Sequence, residues 1–345
     1  MSNRWPGGII RKTPVTPTGP FQFDTASGVW SLADAAYWKK QGLWPTAGNT
    51  PPVGTFAIFA LGSTSLGRSA TREKYTYSGG VNSVGGSATT ASCSGSAAGT
   101  CATGIFALSN TSGGIVATRN KYTYSGCVVG AATGASQASY QGSAVGNSTV
   151  GIFSLGLNIS SARTAIRDKY TYSGDTVSAG TSATIASYSQ SAAGNSTVGI
   201  IALGDGNPSP VAARNKYTYS GDAVTTGGAA TTTNYAGSAV GNATTGIFAL
   251  GVTSGGVVSS VRNKYTYSGD VVSAGGAARA ASAYGSAAGN STVGIFALGY
   301  NSSFSQLQTR DTYTYAGCVV TAATQATVPN VQGSAASNGT TGVNM

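Results

Sequence analysis

The chain has 345 residues, a formal net charge of +10 and no histidine, and only 8% of its residues are charged. Globular proteins usually carry roughly 25% charged residues, and acid–base catalysis draws on histidine or on converging carboxylates, of which the chain holds nine in all. The composition argues against a cytosolic enzyme, and its 51 glycines favour tight turns and closely packed sheets.

The amino-terminal 54 residues are predicted to form an extended segment with one short helix. Residues 13–20 hold three prolines, which favour a polyproline-like course. A capping pattern at Ser31 and Asp34 begins the helix, and Gly42 ends it. We expect no signal peptide, because the start lacks an apolar stretch, and no membrane insertion, because no run approaches roughly 18 apolar residues.

Aromatic side chains in this segment are predicted to anchor the chain to a partner. The segment contains all four tryptophans but too little apolar surface to fold alone. Aromatic residues dominate the energetics of many protein interfaces. We therefore expect an assembly anchor that contacts other subunits and is formed by Trp30, Tyr37, Trp38 and Trp44.

From residue 55 onward the sequence repeats with a period of 47 or 48 residues. The motif Lys-Tyr-Thr-Tyr-Ser-Gly recurs, ending with the variant Thr-Tyr-Thr-Tyr-Ala-Gly, and its first tyrosines are Tyr75, Tyr122, Tyr170, Tyr217, Tyr265 and Tyr313. The motif Gly-Ile-Phe-Ala-Leu-Gly keeps the same period from Ile58 to a partial copy at Val343. Such a period indicates a repeat architecture in which each unit packs against its neighbours.

Each repeat is predicted to contain four short strands, which is the size of one β-propeller blade. The four are the Gly-Ile-Phe-Ala run, the Arg-x-Lys-Tyr-Thr-Tyr run, a short strand after Ser-Gly, and a strand through Ser-Tyr-x-x-Ser-Ala-x-Gly-Asn. Six copies predict an all-β, six-bladed β-propeller over residues 55–345. The integral number of periods between Ile58 and Val343 predicts a closed ring without sheet edges at its ends. A trimeric β-helical fibre is the structural alternative.

The sequence predicts no catalytic, cofactor or metal site. Asp175, Asp222 and Asp270 follow Ser-Gly at equivalent positions of three repeats, and equivalent positions of a ring lie apart. They indicate turn residues, with calcium ligation as the alternative. The periodic Asn-x-Ser/Thr sequons are likewise predicted to be turns rather than glycan acceptors. No nucleic-acid-binding module accompanies the basic residues.

The four cysteines are predicted to be free thiols. Cys127 and Cys318 occupy the same offset in the second and sixth repeats, so they should lie too far apart to form a disulfide. Cys93 and Cys101 lie eight residues apart, and a bond between these two stays open. No spacing typical of a metal site is present.

Basic residues recur once per repeat, immediately before the tyrosine motif. In a ring they would form a candidate anionic-ligand site for a surface polysaccharide or an acidic subunit. The alternative is that their stems pack between blades while their heads bond turn carbonyls or the intervening Asn and Asp. The residues are Arg72, Lys74, Arg119, Lys121, Arg167, Lys169, Arg214, Lys216, Arg262, Lys264 and Arg310.

The tyrosines present a similar choice. The motif tyrosines are predicted to form the core between blades, with a ligand platform as the alternative. A second set is interpreted either as packing or as the aromatic lining of shallow sugar pockets between blades. This second set consists of Tyr140, Tyr188, Tyr235 and Tyr284.

Two regions resemble proteins of tailed bacteriophages. The Lys-Tyr-Thr-Tyr-Ser-Gly-Asp and Gly-Asn-Ser-Thr-x-Gly-Ile-Phe-Ala-Leu-Gly repeats resemble kelch-like propeller arrays of phages of aquatic bacteria and cyanobacteria, although most repeats lack the kelch double glycine. Residues 7–20, with the Trp30 and Trp38 regions, resemble a short module attached to phage structural proteins. The resemblance implies no catalytic residues.

The resemblance implies a non-enzymatic virion structural protein. It would belong to a tail fibre, a baseplate or the capsid surface, be assembled in the host cytoplasm, and display its propeller for host attachment or particle assembly. Its partners would be other virion subunits, further copies of itself and a host surface glycan. The alternatives are a non-viral propeller lectin that binds anionic glycans and a propeller enzyme such as a lyase or sialidase.

Overall fold

The computed structural model describes residues 54–207 and 209–339 of the chain. The chain divides into two units between Val53 and Gly54, next to the predicted boundary at residue 54. The short helix predicted between Ser31 and Gly42 lies outside the described residues.

The described part of the second unit is all-β apart from three short 3-10 turns at Ser125–Cys127, Ser268–Asp270 and Ala316–Cys318. In it, six four-stranded antiparallel sheets follow one another along the chain, and we number them I to VI. From the first to the fourth strand, in the order in which they are hydrogen-bonded, sheet I contains Ser334–Ser337, Phe56–Ala60, Arg72–Thr76 and Val81–Val84, and sheet II contains Ala97–Gly99, Thr103–Ala107, Arg119–Thr123 and Val128–Ala132. In the same order, sheet III contains Ser143–Gly146, Val150–Ser154, Arg167–Thr171 and Thr176–Gly180, and sheet IV contains Ser191–Gly194, Val198–Ala202, Arg214–Thr218 and Ala223–Gly227. Sheet V contains Ala239–Gly241, Thr245–Ala249, Arg262–Thr266 and Val271–Ala274, and sheet VI contains Ser286–Gly289, Val293–Ala297, Arg310–Thr314 and Val319–Ala323.

The two ends of each sheet differ. At the turn face, short turns join the third strand to the fourth and, in sheets II to VI, the first strand to the second. At the hairpin face, longer connections join the second strand to the third, and the fourth strand to the first strand of the next sheet. Residues of both kinds of connection form small sheets made of Ser63–Thr64, Gly67–Arg68 and Asn330–Val331; of Ser92–Cys93, Asn110–Thr111 and Gly114–Ile115; of Ser139–Tyr140 and Leu157–Asn158; and of Asn234–Tyr235 and Val252–Thr253.

The Gly-Ile-Phe-Ala run forms the second strand of each sheet because it is apolar on both faces. Ile58 packs toward Phe106 of sheet II, whereas Phe59 packs toward Ile295 of sheet VI. All of these side chains are at most 1% exposed. The apolar core is therefore a series of interfaces between consecutive sheets, as expected for a repeat in which each unit buries its faces against its neighbours.

The first strands of the six sheets consist of small residues because these strands pack closely against one another. Ala97, Ala98, Ala192 and Ala193 are completely buried. Each first strand contacts the first strands of the two neighbouring sheets, and the series continues from sheet VI to sheet I and from sheet I to sheet II. Larger side chains would not fit where six strands approach one another this closely.

The predicted fourth strand of each repeat is interrupted. In sheet III it divides into Ser139–Tyr140 and Ser143–Gly146, because Gln141 adopts a left-handed conformation with φ of 56°. Gly142 follows, and a Cβ at this position would lie 1.9 Å from the carbonyl oxygen of Ser154. The second piece pairs with the Gly-Ile-Phe-Ser strand of the next repeat, so each sheet combines parts of two consecutive repeats.

The two ends of the second unit meet in sheet I. Its first strand, Ser334–Ser337, pairs antiparallel with Phe56–Ala60, and Ile58 lies opposite Ala336. The side chain of Asn338 extends this pairing through hydrogen bonds to Phe56 and Thr55. An all-β unit of successive antiparallel four-stranded sheets is consistent with a β-propeller.

Backbone hydrogen bonds also connect the sheets at the hairpin face. In each sheet the residue that starts the turn into the first strand has a positive φ, and its N–H donates to the carbonyl of the equivalent residue in the preceding sheet over 2.8 to 2.9 Å. The six bonds return to their starting point and involve Ser94, Gln141, Ser189, Ala236, Tyr284 and Gln332. The sequence gives little sign of this set beyond the glycine that follows most of its members.

Candidate functional site

The arginines of the repeated basic motif lie between the sheets. They begin the third strands, their side chains point toward the following sheet, and each residue is at most 1% exposed. In every case Nη2 donates a hydrogen bond of 2.6 to 3.3 Å to the residue that follows the equivalent arginine in the next sheet. The pairs are Arg72–Asn120, Arg119–Asp168, Arg167–Asn215, Arg214–Asn263, Arg262–Asp311 and Arg310–Glu73.

Aromatic rings compensate part of the cost of burying these charges. The guanidinium of Arg72 lies 4.4 Å from the centroid of the Phe106 ring, and four other arginines stand over the equivalent ring at 4.2 to 4.6 Å. A desolvated guanidinium over an aromatic face is an attractive contact. Of the two interpretations of the arginines, the structure therefore supports packing between sheets, since no guanidinium among the six is open to an external ligand.

The six interfaces differ in charge. At Arg72, Arg167 and Arg214 the partner is a neutral asparagine, and burial lowers the pKa of each arginine to about 10. The other three arginines face a carboxylate. Burial lowers their pKa as well, and the adjacent carboxylate opposes this effect. All six arginines remain protonated at neutral pH.

The lysines of the same motif occupy a different environment. Lys74, Lys121, Lys169, Lys216 and Lys264 are half-buried near the turn face. The ammonium of Lys216 lies 2.9 Å from the carboxylate of Asp270 in the next sheet. Of the candidate anionic-ligand residues, only these lysines are therefore within reach of solvent.

The three periodic aspartates are turn residues that bridge neighbouring sheets. Asp175 has a φ of 48°, and its carboxylate accepts hydrogen bonds from the Tyr170 hydroxyl and from the Thr133 N–H of sheet II. Burial opposes ionisation, yet these bonds and the charge of Lys121 hold the pKa of Asp175 below its usual range. In the described ranges, no group of three or more His, Cys, Asp or Glu side chains is placed to hold a metal ion.

The motif tyrosines fill the interfaces between sheets. The first tyrosine of each motif is at most 3% exposed, and the second packs beside it with ring centroids 5.7 to 6.1 Å apart. Burial raises the pKa of the second tyrosines well above its usual value, as at Tyr124 and Tyr219. Tyrosines enclosed in this way are core residues and do not form an exposed ligand platform.

The sequon asparagines organise the turn face. Oδ1 of Asn195 accepts hydrogen bonds from the N–H groups of Thr197 and Val198, and its Nδ2 donates to the carbonyl of Ala243 in sheet V. The same pattern recurs at Asn147, Asn242 and Asn290. These asparagines close the turns and connect neighbouring sheets, which accounts for their periodicity.

Grooves open between consecutive sheets at the turn face. The groove between sheets IV and V is lined by Asn195, Thr197, Lys216, Thr266 and Ser268, with Val198 and Tyr267 among its apolar residues. An equivalent groove between sheets III and IV contains Lys169. Each groove thus presents hydroxyl and amide groups around one lysine, and an aspartate of the following sheet balances the charge of that lysine.

The second set of tyrosines is not equivalent by position. Tyr140, Tyr188 and Tyr235 occupy one position of the repeat, whereas Tyr284 belongs to the ring of backbone hydrogen bonds. Tyr188 lies under Arg163, whose guanidinium is 5.2 Å from its ring centroid. The structure therefore does not bring the four residues together as equivalent sugar pockets, because the predicted alignment is one residue out of register at Tyr284.

The cysteines are free thiols. Cys93 is buried and Cys101 is exposed, so these two do not form the disulfide that the sequence left open. Cys127 and Cys318 replace the aspartates of sheets III to V and have the same left-handed conformation, with φ of 54°. Each thiol contacts the first tyrosine of its own motif, as the aspartate carboxylates do.

The anchor residues Trp30, Tyr37, Trp38 and Trp44 lie outside the described residues. Among the residues that the structure describes, no helix is long and apolar enough to cross a membrane. No protein-family model matches the chain, and a search of curated proteins found no match.

Proposed function

We propose that the chain is a non-enzymatic structural protein of a tailed-phage virion, in which a closed six-bladed propeller is displayed for host-surface adhesion or particle assembly. The protein would form part of a tail fibre, a baseplate or the capsid surface. The amino-terminal segment would attach it to other subunits, and several copies would be present in each particle.

One observation carries the proposal of a closed ring. First-strand contacts, arginine bonds and backbone hydrogen bonds each run through sheets I to VI and return to sheet I, where the strand Ser334–Ser337 pairs with Phe56–Ala60. Three sets of contacts with the same cyclic order favour a propeller over a rod-like fibre, since a rod would leave its first and last repeats apart. A ring without free terminal edges suits a protein that must stay folded outside the cell.

The use of the carboxylates supports a non-enzymatic role. All seven acidic residues in the described ranges bond a group of a neighbouring sheet. A general acid or base must be free to exchange a proton with a substrate. Carboxylates committed to connections between sheets stabilise the ring, which is the property that a display scaffold requires.

Incorporation into particles tests the proposal. Particles purified from the native source should contain the full-length chain, and antibodies against the propeller should label the particle surface in electron micrographs. A chain without residues 1–53 should remain folded but be missing from the particles. Absence of the full-length chain from purified particles would contradict the virion assignment and favour the alternative, a lectin outside any virus.

A further inference from the structure

The five lysines near the turn face are not equivalent in charge. Lys216 forms an ion pair with Asp270 of the following sheet. The charges of Lys121 and Lys169 likewise help to lower the pKa of Asp175 and Asp222, respectively. The interfaces II–III, III–IV and IV–V therefore each combine one lysine with one carboxylate.

The remaining interfaces lack this carboxylate. The position that corresponds to Asp270 is Cys127 in sheet II, Cys318 in sheet VI and Gly80 in sheet I, all with positive φ. Lys74 and Lys264, which precede sheets II and VI, therefore have no aspartate at the matching position. The interface between sheets VI and I has neither charge, since Thr312 replaces the lysine. Among the described residues, the lysines without an aspartate at the matching position thus lie in one half of the turn face.

Cysteine in place of aspartate removes a negative charge and keeps the same backbone conformation. Cysteine in a left-handed conformation is disfavoured, whereas aspartate and asparagine tolerate it better. Cys127 and Cys318 nevertheless keep the contact with Tyr122 and Tyr313 that the aspartates make with their own tyrosines. As a result, no aspartate of the described residues occupies the position that faces Lys74 or Lys264.

We infer that Lys74 and Lys264 bind an acidic polysaccharide, which spans the half of the turn face formed by the interfaces V–VI, VI–I and I–II. The inference rests on the proposed adhesive function and specifies its ligand. Two separated charges suit a polymer that carries negative charge at intervals, because binding at the first lysine raises the local concentration at the second. At the turn face of sheets V and VI, the side chains of Asn242, Thr244 and Thr292 supply amide and hydroxyl groups. Such groups suit a sugar better than an acidic protein surface, which would need a broader contact.

Lys74 is also held in place. Its ammonium lies 4.2 Å from the centroid of the Phe56 ring, and the other sheets have threonine or valine where Phe56 stands. A cation–π contact leaves the ammonium charged while limiting its motion. Phe56 therefore fixes one of the two lysines at the interface between sheets I and II.

Binding of the full-length protein to immobilised alginate, a polyuronate, tests the inference, with uncharged dextran as the control polymer. Alginate should bind more weakly as salt is added, and dextran should not bind. Lys74→Ala and Lys264→Ala should each weaken alginate binding about threefold, the scale of an exposed charge contact. The double variant should weaken binding about tenfold. Lys216→Ala should bind like the unmodified chain.

Two further variants change the charge of an interface without removing a lysine. Cys318→Asp installs the carboxylate opposite Lys264 and should reduce binding as much as Lys264→Ala does, with the fold kept because Asp270 has the same φ of 54°. Asp270→Asn frees Lys216 and should increase binding. Circular dichroism should show that each variant is folded.

Three results would overturn the inference. The first is that alginate does not bind, and the second is that the double variant binds alginate as strongly as the unmodified chain. The third is that Lys216→Ala weakens alginate binding as much as Lys74→Ala or Lys264→Ala, which would implicate all five lysines. If an acidic virion subunit binds in place of alginate, the ligand class is wrong. None of these results affects particle incorporation, so a failure here is distinguishable from a failure of the proposed virion function.

Discussion

Arg310 and Glu73 are joined by a buried ion pair in which Nη2 lies 2.6 Å from Oε2, although 237 residues separate them in the sequence. Glu73 also accepts a hydrogen bond from the Thr327 N–H over 2.7 Å. The pair connects sheets VI and I, where the first and last repeats meet. A contact of such long sequence separation joins opposite ends of the unit, so the pair reports directly on whether sheets VI and I are in contact.

Removing this carboxylate should destabilise the protein strongly. Glu73→Ala leaves the Arg310 guanidinium buried without a counter-charge, and a buried ion pair broken on one side costs about 3–5 kcal/mol. The free energy of unfolding from urea titration, followed by circular dichroism, gives the measurement. Arg310 is only 1% exposed, so solvent provides little compensation.

Glu73→Gln is the matched control, because the Arg72–Asn120 interface shows that a neutral amide can accept the arginine bond. We expect a loss of about 1–2 kcal/mol, since the amide oxygen can keep the Arg310 bond while the charge and the acceptor for the Thr327 N–H are removed. Equal losses in the two variants would mean that the charge of Glu73 does not stabilise the interface.

Much of the repeat organisation could be predicted from the sequence. Two motifs with one period identified six units, and their apolar runs identified the second and third strands. The hairpin connections and the interrupted fourth strand could not be predicted in this way, because they depend on positive φ angles at residues as different as Ser94, Gln141 and Tyr284. No side-chain preference is common to these three residues.

The charged site was only partly predictable, for a related reason. The period marks Arg167 and Lys169 as equivalent members of one motif, and alternation places both on the same face of a strand. Burial separates them, since the arginine lies deep between sheets and the lysine reaches the turn face. Lys169 lies two residues closer to the turn face than Arg167, and it therefore meets solvent. The repeat pattern does not show where along the strand burial ends.

Two tyrosines at equivalent positions should respond differently to loss of their hydroxyl groups. The Tyr77 hydroxyl donates a hydrogen bond of 2.9 Å to Ser337, whereas the buried Tyr219 hydroxyl has no partner among the described residues. Tyr77→Phe should lower the free energy of unfolding by about 1 kcal/mol, and Tyr219→Phe should be neutral or slightly stabilising. A loss in Tyr219→Phe as large as in Tyr77→Phe would show that an internal water satisfies Tyr219.

Stability should fall at alkaline pH because of the buried tyrosines. Burial raises the pKa of Tyr122 to about 12, and those of Tyr124, Tyr219 and Tyr315 also lie above the ordinary value near 10. The folded state thus holds protons that the unfolded state releases above pH 10, so the stabilisation is present below that pH and is lost as pH rises further.

The buried arginines act in the opposite direction between their lowered pKa of about 10 and the ordinary value, but they are fewer than the tyrosines. Tyrosinate absorbance and circular dichroism should therefore change together above pH 10. Full ionisation of the tyrosines while the circular dichroism spectrum stays native would contradict the prediction.

Arg167 offers a place where the interface can be strengthened. The other five arginines lie over a phenylalanine ring, but the equivalent position opposite Arg167 is Ile201. Its partner Asn215 is neutral, so this guanidinium has neither a counter-charge nor that ring. Ile201→Phe should restore the cation–π contact and raise the free energy of unfolding by about 0.5–1 kcal/mol.

Ile201→Leu is the control for this substitution, because it keeps an aliphatic side chain of the same size and should give no gain. Both variants can be compared by urea titration at neutral pH, where Arg167 is fully charged. Repeating the comparison in the Arg167→Met background isolates the contact, since the benefit of Phe at position 201 should disappear when the guanidinium is absent. A benefit that persists without the charge would mean that the phenylalanine stabilises the interface through apolar packing alone.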